Sequence, residues 1–153
     1  MRIEWVYLDK RAATVAALKD LSAMEFILLN YKDDAEEAQA RKTSVKTGPV
    51  RITSNSRNPQ GAETRLAATL DTIDLLSERY FGALEYMAWF KPAYDMLSAD
   101  EQYLLTTFYA GGDTSSTDCV ELICDHFHIE RSTAYNKKNR ALSHLVSLLY
   151  GSE

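Results

Sequence analysis

The fold is decided by the C-terminal stretch LSADEQYLLTTFYAGGDTSSTDCVELICDHFHIERSTAYNKKNRALSHLVSLLY, residues 97–150. Ser98 is followed three positions later by Glu101, which is the spacing of a capping box at the start of a helix. Gly111-Gly112 can end that helix, because glycine adopts the positive φ that a helix C-terminus often needs. The first part of the stretch therefore predicts a helix over residues 98–110.

Two more helices follow at short intervals. Ser115, Ser116 or Thr117 can cap a helix over residues 116–127, and a three-residue corner with His128 at a positive-φ position leads to a helix over 131–149. One face of the last helix is apolar. Its other face carries Arg131, Ser132, Thr133, Tyr135, Asn136, Lys138 and Asn139, which are side chains that donate, accept or stack. Such residues read base edges, so the helix-turn-helix spacing predicts binding to double-stranded DNA.

The segments LSADEQYLL, FYAGG and CVELICDHFHIERSTAYNKKNRALSHLVSLLYG resemble region 4 of the sigma-70 class. They are more similar to the phage-encoded, sigma-70 region 4-like regulators of the ArpU and RinA type, in which a long helical half precedes the same C-terminal domain. The resemblance covers residues 97–150. It implies a bacterial or prophage transcriptional regulator that acts on promoter or operator DNA, with RNA polymerase as a further partner and a recognition helix that begins near Arg131.

The resemblance also implies roles for single residues. By position in the family, Arg131, Ser132, Tyr135 and Asn136 read bases, whereas Lys137, Lys138 and Arg140 face phosphates. With Asn139 from the same face of the helix added, the predicted base-reading residues are Arg131, Ser132, Tyr135, Asn136 and Asn139. The predicted phosphate-binding residues are Ser116, Thr117, Thr133, Lys137, Lys138 and Arg140.

The first 96 residues predict a helical hairpin, with helices over 3–40 and 62–90 that precede the helix-turn-helix domain of residues 97–153. Apolar residues repeat at alternating spacings of four and three in two seams, which is typical of helices that pack lengthwise. The seams are Ala17, Leu21, Met24, Leu28, Tyr31, Ala35, Ala38 and Leu66, Leu70, Ile73, Ser77, Tyr80, Leu84, Met87. Pro92 is expected to kink or end the second helix near Lys91. We expect a homodimer formed through these helices, although an intramolecular hairpin could bury the same seams.

Residues 41–61, RKTSVKTGPVRITSNSRNPQG, form a predicted basic linker with five Lys/Arg and no acidic residue. Its glycines and prolines argue against a regular helix, so a flexible surface loop is the first interpretation. A basic arm that contacts DNA is the alternative.

Composition and charge limit the other possibilities. The chain has 153 residues, of which 46% are hydrophobic, and its formal net charge is −5. It holds no apolar run long enough for a membrane span. We therefore expect a cytoplasmic protein without membrane contact. Residues 97–153 carry four Lys/Arg and eight Asp/Glu, a net of −4, but the four cations share the last helix. We therefore expect weak and salt-sensitive DNA binding by this domain.

No enzyme, cofactor or metal site is expected. The segment C-x4-C-x-H-x-H, from Cys119 to His128, has a spacing that does not place its ligands on one side of a helix. Two alternatives to the regulator stay open. One is a phage DNA-packaging protein resembling a terminase small subunit, and the other is a sigma-like protein-interaction module that no longer binds DNA.

Overall fold

The protein is all-α in the computed structural model, which describes residues 9–44, 59–112 and 114–151. Within those ranges there is no strand, so the predicted fold class is confirmed. The helices are α1 (Lys10–Ser44), α2 (Pro59–Asp95), α3 (Ala99–Leu105), α4 (Ser116–Phe127) and α5 (Arg131–Tyr150). A π-helical segment, Thr106–Ala110, continues α3. None of the described helices is both long and apolar enough to cross a membrane.

The chain divides into two compact units, and this division differs from the predicted boundary at residue 97. Unit 1 comprises residues 1–24 and 86–153, and unit 2 comprises residues 25–85. The start of α1 and the end of α2 therefore belong with the C-terminal helices. The physical reason is a shared core, in which Leu18 and Phe90 are fully buried together with Leu145.

Two hydrophobic clusters hold unit 1 together, and α5 contributes to both. The larger cluster contains Ala17, Leu18, Leu21, Phe90, Ala93, Tyr94, Leu97, Leu105, Ala141, Leu142, Leu145 and Leu149. The smaller one contains Leu104, Val120, Ile123 and Ala134. Since these clusters bury one face of α5 from Ala134 to Leu149, the orientation of the helix is fixed and its opposite face lies toward solvent.

In unit 2, α1 and α2 contact each other in antiparallel order. The rings of Tyr31 and Tyr80 stack with their centroids 4.1 Å apart, while Ala38, further along α1, lines a shallow groove with Thr72, which lies earlier on α2. The predicted α1 seam is buried or half-buried throughout.

The predicted α2 seam is partly wrong. Leu66, Leu70 and Leu84 are exposed, whereas the other four residues of the seam are half-buried, namely Ile73, Ser77, Tyr80 and Met87. The buried side of α2 also includes Ala83, which the prediction left out. Ala83 is fully buried, and the predicted seam contained its neighbour Leu84 in its place. Both residues are apolar, so periodicity alone does not distinguish these adjacent stripes of one helix.

Several predicted boundaries are also corrected. The second helix does not end near Lys91, because α2 continues through Pro92 to Asp95. Proline removes one backbone hydrogen bond from the helix. Burial of the next two residues, Ala93 and Tyr94, offsets the loss of that hydrogen bond. The first helix reaches Ser44 and therefore includes the start of the predicted linker. Most of that linker lies outside the described residues. Residues 3–8, the predicted start of the first helix, also lie outside them.

The predicted caps of the C-terminal helices are confirmed. Ser98 Oγ accepts from the Glu101 backbone N–H at 3.3 Å, and the Ser98 N–H donates to Glu101 Oε2 at 2.9 Å, which completes the capping box. Ser115 caps α4 in the same way by accepting from the Asp118 N–H. His128 lies in the left-handed region with φ 52°. These local signals set the start of α3 and both ends of α4, whereas Glu130 precedes α5 without a side-chain capping hydrogen bond.

Candidate nucleic-acid interface

The exposed face of α5 is polar and basic. The helix carries four Arg/Lys and no Asp/Glu, whereas α4 carries three Asp/Glu and no Arg/Lys. On the side away from the core, Asn136, Asn139, Arg140 and Ser143 line a shallow, open depression. Amide, guanidinium and hydroxyl groups thus lie side by side on a surface that offers both donors and acceptors.

A short turn fixes α5 relative to α4. The backbone N–H groups of His128 and Ile129 both donate to the Cys124 carbonyl, the latter at 3.1 Å, and the left-handed His128 reverses the chain between them. Ala134 is fully buried against the cluster that contains Ile123, so the two helices approach closely there. The turn and the small residue together present the first turns of α5 at the surface.

Arg131, the first residue of α5, has a partner within the protein. Its Nη2 lies 2.8 Å from Oε1 of Glu121 on α4, and both side chains are largely exposed. An exposed pair of this kind contributes little free energy, about 0–1 kcal/mol. The guanidinium can therefore exchange this carboxylate for another acceptor at small cost.

Lys138 lies over a group of aromatic rings rather than in open solvent. Its Nζ is 5.0 Å from the ring centroid of Phe108, 5.3 Å from that of Tyr135 and 5.8 Å from that of Tyr109. Burial, and then the nearby charge of Arg11, lowers the pKa of Lys138. These cation–π contacts hold the ammonium group against the side of α5.

Ten of the eleven predicted DNA-contact residues are exposed, and Lys138 is half-buried. Asn136, Asn139 and Arg140 are brought together around the depression. Lys137 lies 5.4 Å from the Phe127 ring centroid and lines a second shallow depression that Arg140 also borders. Ser116 and Thr117 are exposed in the first turn of α4. Ser132 and Thr133 lie exposed in the first turn of α5, and Tyr135 is 40% exposed.

One residue that the sequence did not suggest lies at this surface. Arg11, near the start of α1, donates from Nη1 to Ser143 Oγ at 3.1 Å. The two residues are separated by 132 positions, and an arginine in the first turn of a long helix gives no signal of such a contact.

The Cys/His segment has an ordinary structural role. Cys119 is buried and Cys124 half-buried beside the smaller core cluster, while the ring of His126 stacks on Tyr103 at 4.2 Å. Within the described ranges, no three His, Cys, Asp or Glu side chains come together in a group that could hold a metal ion.

Comparisons of the chain with protein-family models, curated proteins and solved structures give no significant match.

Proposed function

We propose that the protein is a sequence-specific, double-stranded DNA-binding transcriptional regulator that reads the major groove with α5. The observation that carries the proposal is the exposed, acid-free face of α5, on which Asn136, Asn139 and Arg140 surround one depression. Asparagine pairs with adenine through two hydrogen bonds, and arginine binds guanine or phosphate. The turn between α4 and α5, with both helices packed through Ala134, supports a helix-turn-helix arrangement.

The charge of α5 supports contact with DNA although the whole chain is acidic. Its four cations belong to one helix that carries no Asp or Glu. Acids of the other helices lie close to them: Glu121 pairs with Arg131, and Asp100 and Glu101 border the depression that Lys137 and Arg140 line. Charges act over about 8 Å at physiological salt, so these acids reduce the local positive potential, and the proposal predicts weak, salt-sensitive binding with few phosphate contacts. The resemblance to phage-encoded sigma-region-4-like regulators adds to this proposal a prophage origin and RNA polymerase as a further partner. The cytoplasmic location expected from the composition of the chain belongs to the same proposal.

The proposed active form is a homodimer assembled through unit 2. Large apolar side chains stay exposed on this pair of helices, with Phe26 at 65%, Leu29 at 80% and Phe81 at 63%. A second copy would cover such side chains, and a two-fold dimer suits an operator with two half-sites.

One observation favours the alternative of a protein-interaction module that does not bind DNA. Arg131 pairs with Glu121, Lys137 lies over Phe127, and Lys138 lies over three rings, so three of the four cations of α5 already have contacts inside the protein. Each contact is exposed or half-exposed and weak, so DNA phosphates can compete for the cations.

Selection of bound sequences from a random duplex pool, followed by titrations of two variants, tests the proposal. Asn136→Ala should cost about 1–3 kcal/mol at the selected site and leave non-specific affinity unchanged, because a base contact matters only where its base is present. Arg140→Ala should weaken binding to all duplexes and reduce the salt slope by about one.

Lys19→Ala is the matched control, since Lys19 is an exposed cation of the same unit on α1. If the wild-type protein enriches no duplex even at low salt, the proposal is wrong and the interaction module takes its place. If Asn136→Ala lowers specific and non-specific affinity equally, α5 binds DNA but does not read its sequence.

A further inference from the structure

The contact between Arg11 and Ser143 brings the beginning of the chain to the outer face of α5. The Arg11 side chain is exposed, and its Nη1 donates to the Ser143 hydroxyl at 3.1 Å. Ser143 also lines the depression that Asn136, Asn139 and Arg140 form. Arg11 is thus held at one edge of that depression and adds a guanidinium from another helix.

The position of Ser143 along α5 determines what this guanidinium can reach. Ser143 lies twelve residues beyond Arg131, which is about 18 Å along a helix that rises about 1.5 Å per residue. The major groove is about 12 Å wide. A recognition helix contacts base edges with its N-terminal residues. In that arrangement we expect Ser143, far along α5, to lie where the helix leaves the groove and passes a phosphate backbone.

Electrostatics at this edge favour an anion. Arg11 is close enough to Lys138 to lower the pKa of that ammonium group further than burial alone does, and it also acts against the effect of burial on the pKa of Tyr109. Two cations held near each other repel, and part of that repulsion is relieved when a negatively charged group binds beside them.

We propose that Arg11 binds a DNA backbone phosphate at the rim of the major groove, with its guanidinium positioned by Ser143. This inference rests on the proposed function and extends it: the DNA-binding surface includes the first turn of α1 as well as the C-terminal helices. Guanidinium suits this role because its planar donors can contact Ser143 and a phosphate oxygen at the same time.

The test uses the full chain and measures affinity for a non-specific duplex as a function of salt. Arg11→Ala should weaken binding roughly eightfold at about 0.1 M salt and reduce the salt slope by about one, since one phosphate contact releases about 0.9 counterion. Arg11→Lys should restore the slope because it restores the charge. Lys19→Ala, which removes an exposed cation elsewhere on α1, should leave affinity and slope at the wild-type values.

The outcomes separate this inference from the proposal on which it rests. If the wild-type protein does not bind DNA, the proposed function itself fails. If the wild type binds and Arg140→Ala reduces the slope while Arg11→Ala behaves like Lys19→Ala, only the role of Arg11 is overturned. A loss of affinity in Arg11→Ala with an unchanged salt slope also overturns the role of Arg11. The slope reports the number of counterions released, so an unchanged slope means that Arg11 affects binding through the structure of α5 and not through a phosphate contact. Thermal melting of each variant identifies any that fails to fold.

Discussion

Unit 1 and unit 2 bury their apolar residues to very different extents. In unit 1, Leu18, Phe90, Leu105, Ile123 and Leu145 are all fully buried. In unit 2, the buried hydrophobic residues among those described are two alanines, Ala38 and Ala83. Seven large apolar residues of unit 2 stay exposed, namely Phe26, Leu29, Leu66, Leu70, Leu75, Phe81 and Leu84, and the other large apolar residues described there are only half-buried.

This difference indicates what stabilises each unit. Unit 1 has five helical segments around two clusters, so its helices bury their apolar faces within one chain. The described part of unit 2 consists of segments of α1 and α2, which bury the side that each presents to the other. Unit 1 therefore has the core of an independently stable fold, and the proposed second copy would supply the missing contacts of unit 2.

The largest expected effect is a core truncation in unit 1. Leu145→Ala removes a fully buried side chain from the larger cluster and should lower the free energy of unfolding by about 2–5 kcal/mol. Leu75→Ala makes the same chemical change in unit 2 at a side chain that is 53% exposed, and should cost less than about 1 kcal/mol. Urea unfolding followed by circular dichroism measures the loss of unfolding free energy in each variant. Equal losses would show that unit 1 and unit 2 do not differ in how strongly their apolar side chains contribute to stability.

A smaller effect is expected from truncation of an exposed ring in unit 2. Phe81→Ala should raise the dimer dissociation constant about tenfold, because removal of an aromatic side chain from an interface costs on the order of 1–2 kcal/mol. Analytical ultracentrifugation over a range of concentrations measures the constant. Met96→Ala is the control, since Met96 is 70% exposed but belongs to unit 1. A wild-type protein that stays monomeric would contradict the proposed role of unit 2.

The sequence predicted the parts of the fold that local chemistry decides. The capping box of Ser98 and Glu101, the positive φ of His128 and the range of α4 all agree with the structure, because each depends on residues a few positions apart. The exposed face of α5 followed from helical periodicity in the same way.

Features set by long-range packing could not be predicted in this way. The contact of Arg11 with Ser143 spans 132 positions, and the unit boundary depends on Leu18 and Phe90 sharing one core with α5. Periodicity also could not choose between adjacent stripes of α2, since Leu84 and Ala83 are both apolar and only packing selects the smaller one for burial. The rings beneath Lys138 come from the π-helical segment as well as from α5, which is a geometry without a local sequence signal.

The smallest expected effect is a decrease in the stability of unit 1 at acid pH, caused by protonation of Glu101. Its carboxylate accepts from the Ser98 N–H at 2.9 Å, and its other oxygen lies 2.9 Å from His144 Nδ1, which links α3 to α5. Burial alone would raise the pKa of Glu101, but the backbone hydrogen bond from Ser98 and the interactions with His144 together hold it below its usual value of 4.5.

A carboxyl group whose pKa is lower in the folded state binds fewer protons there than in the unfolded chain. Its contribution to stability is therefore fully present above pH 4.5 and is lost as the pH falls through the folded-state value. Glu101→Gln keeps a side-chain oxygen that can accept from Ser98 but does not titrate. The difference in unfolding free energy between wild type and variant should consequently shrink as the pH is lowered from about 6 to about 3.5. A difference for Glu101→Gln that stays constant with pH would mean that the capping hydrogen bonds, and not the charge of Glu101, account for its contribution to unit 1.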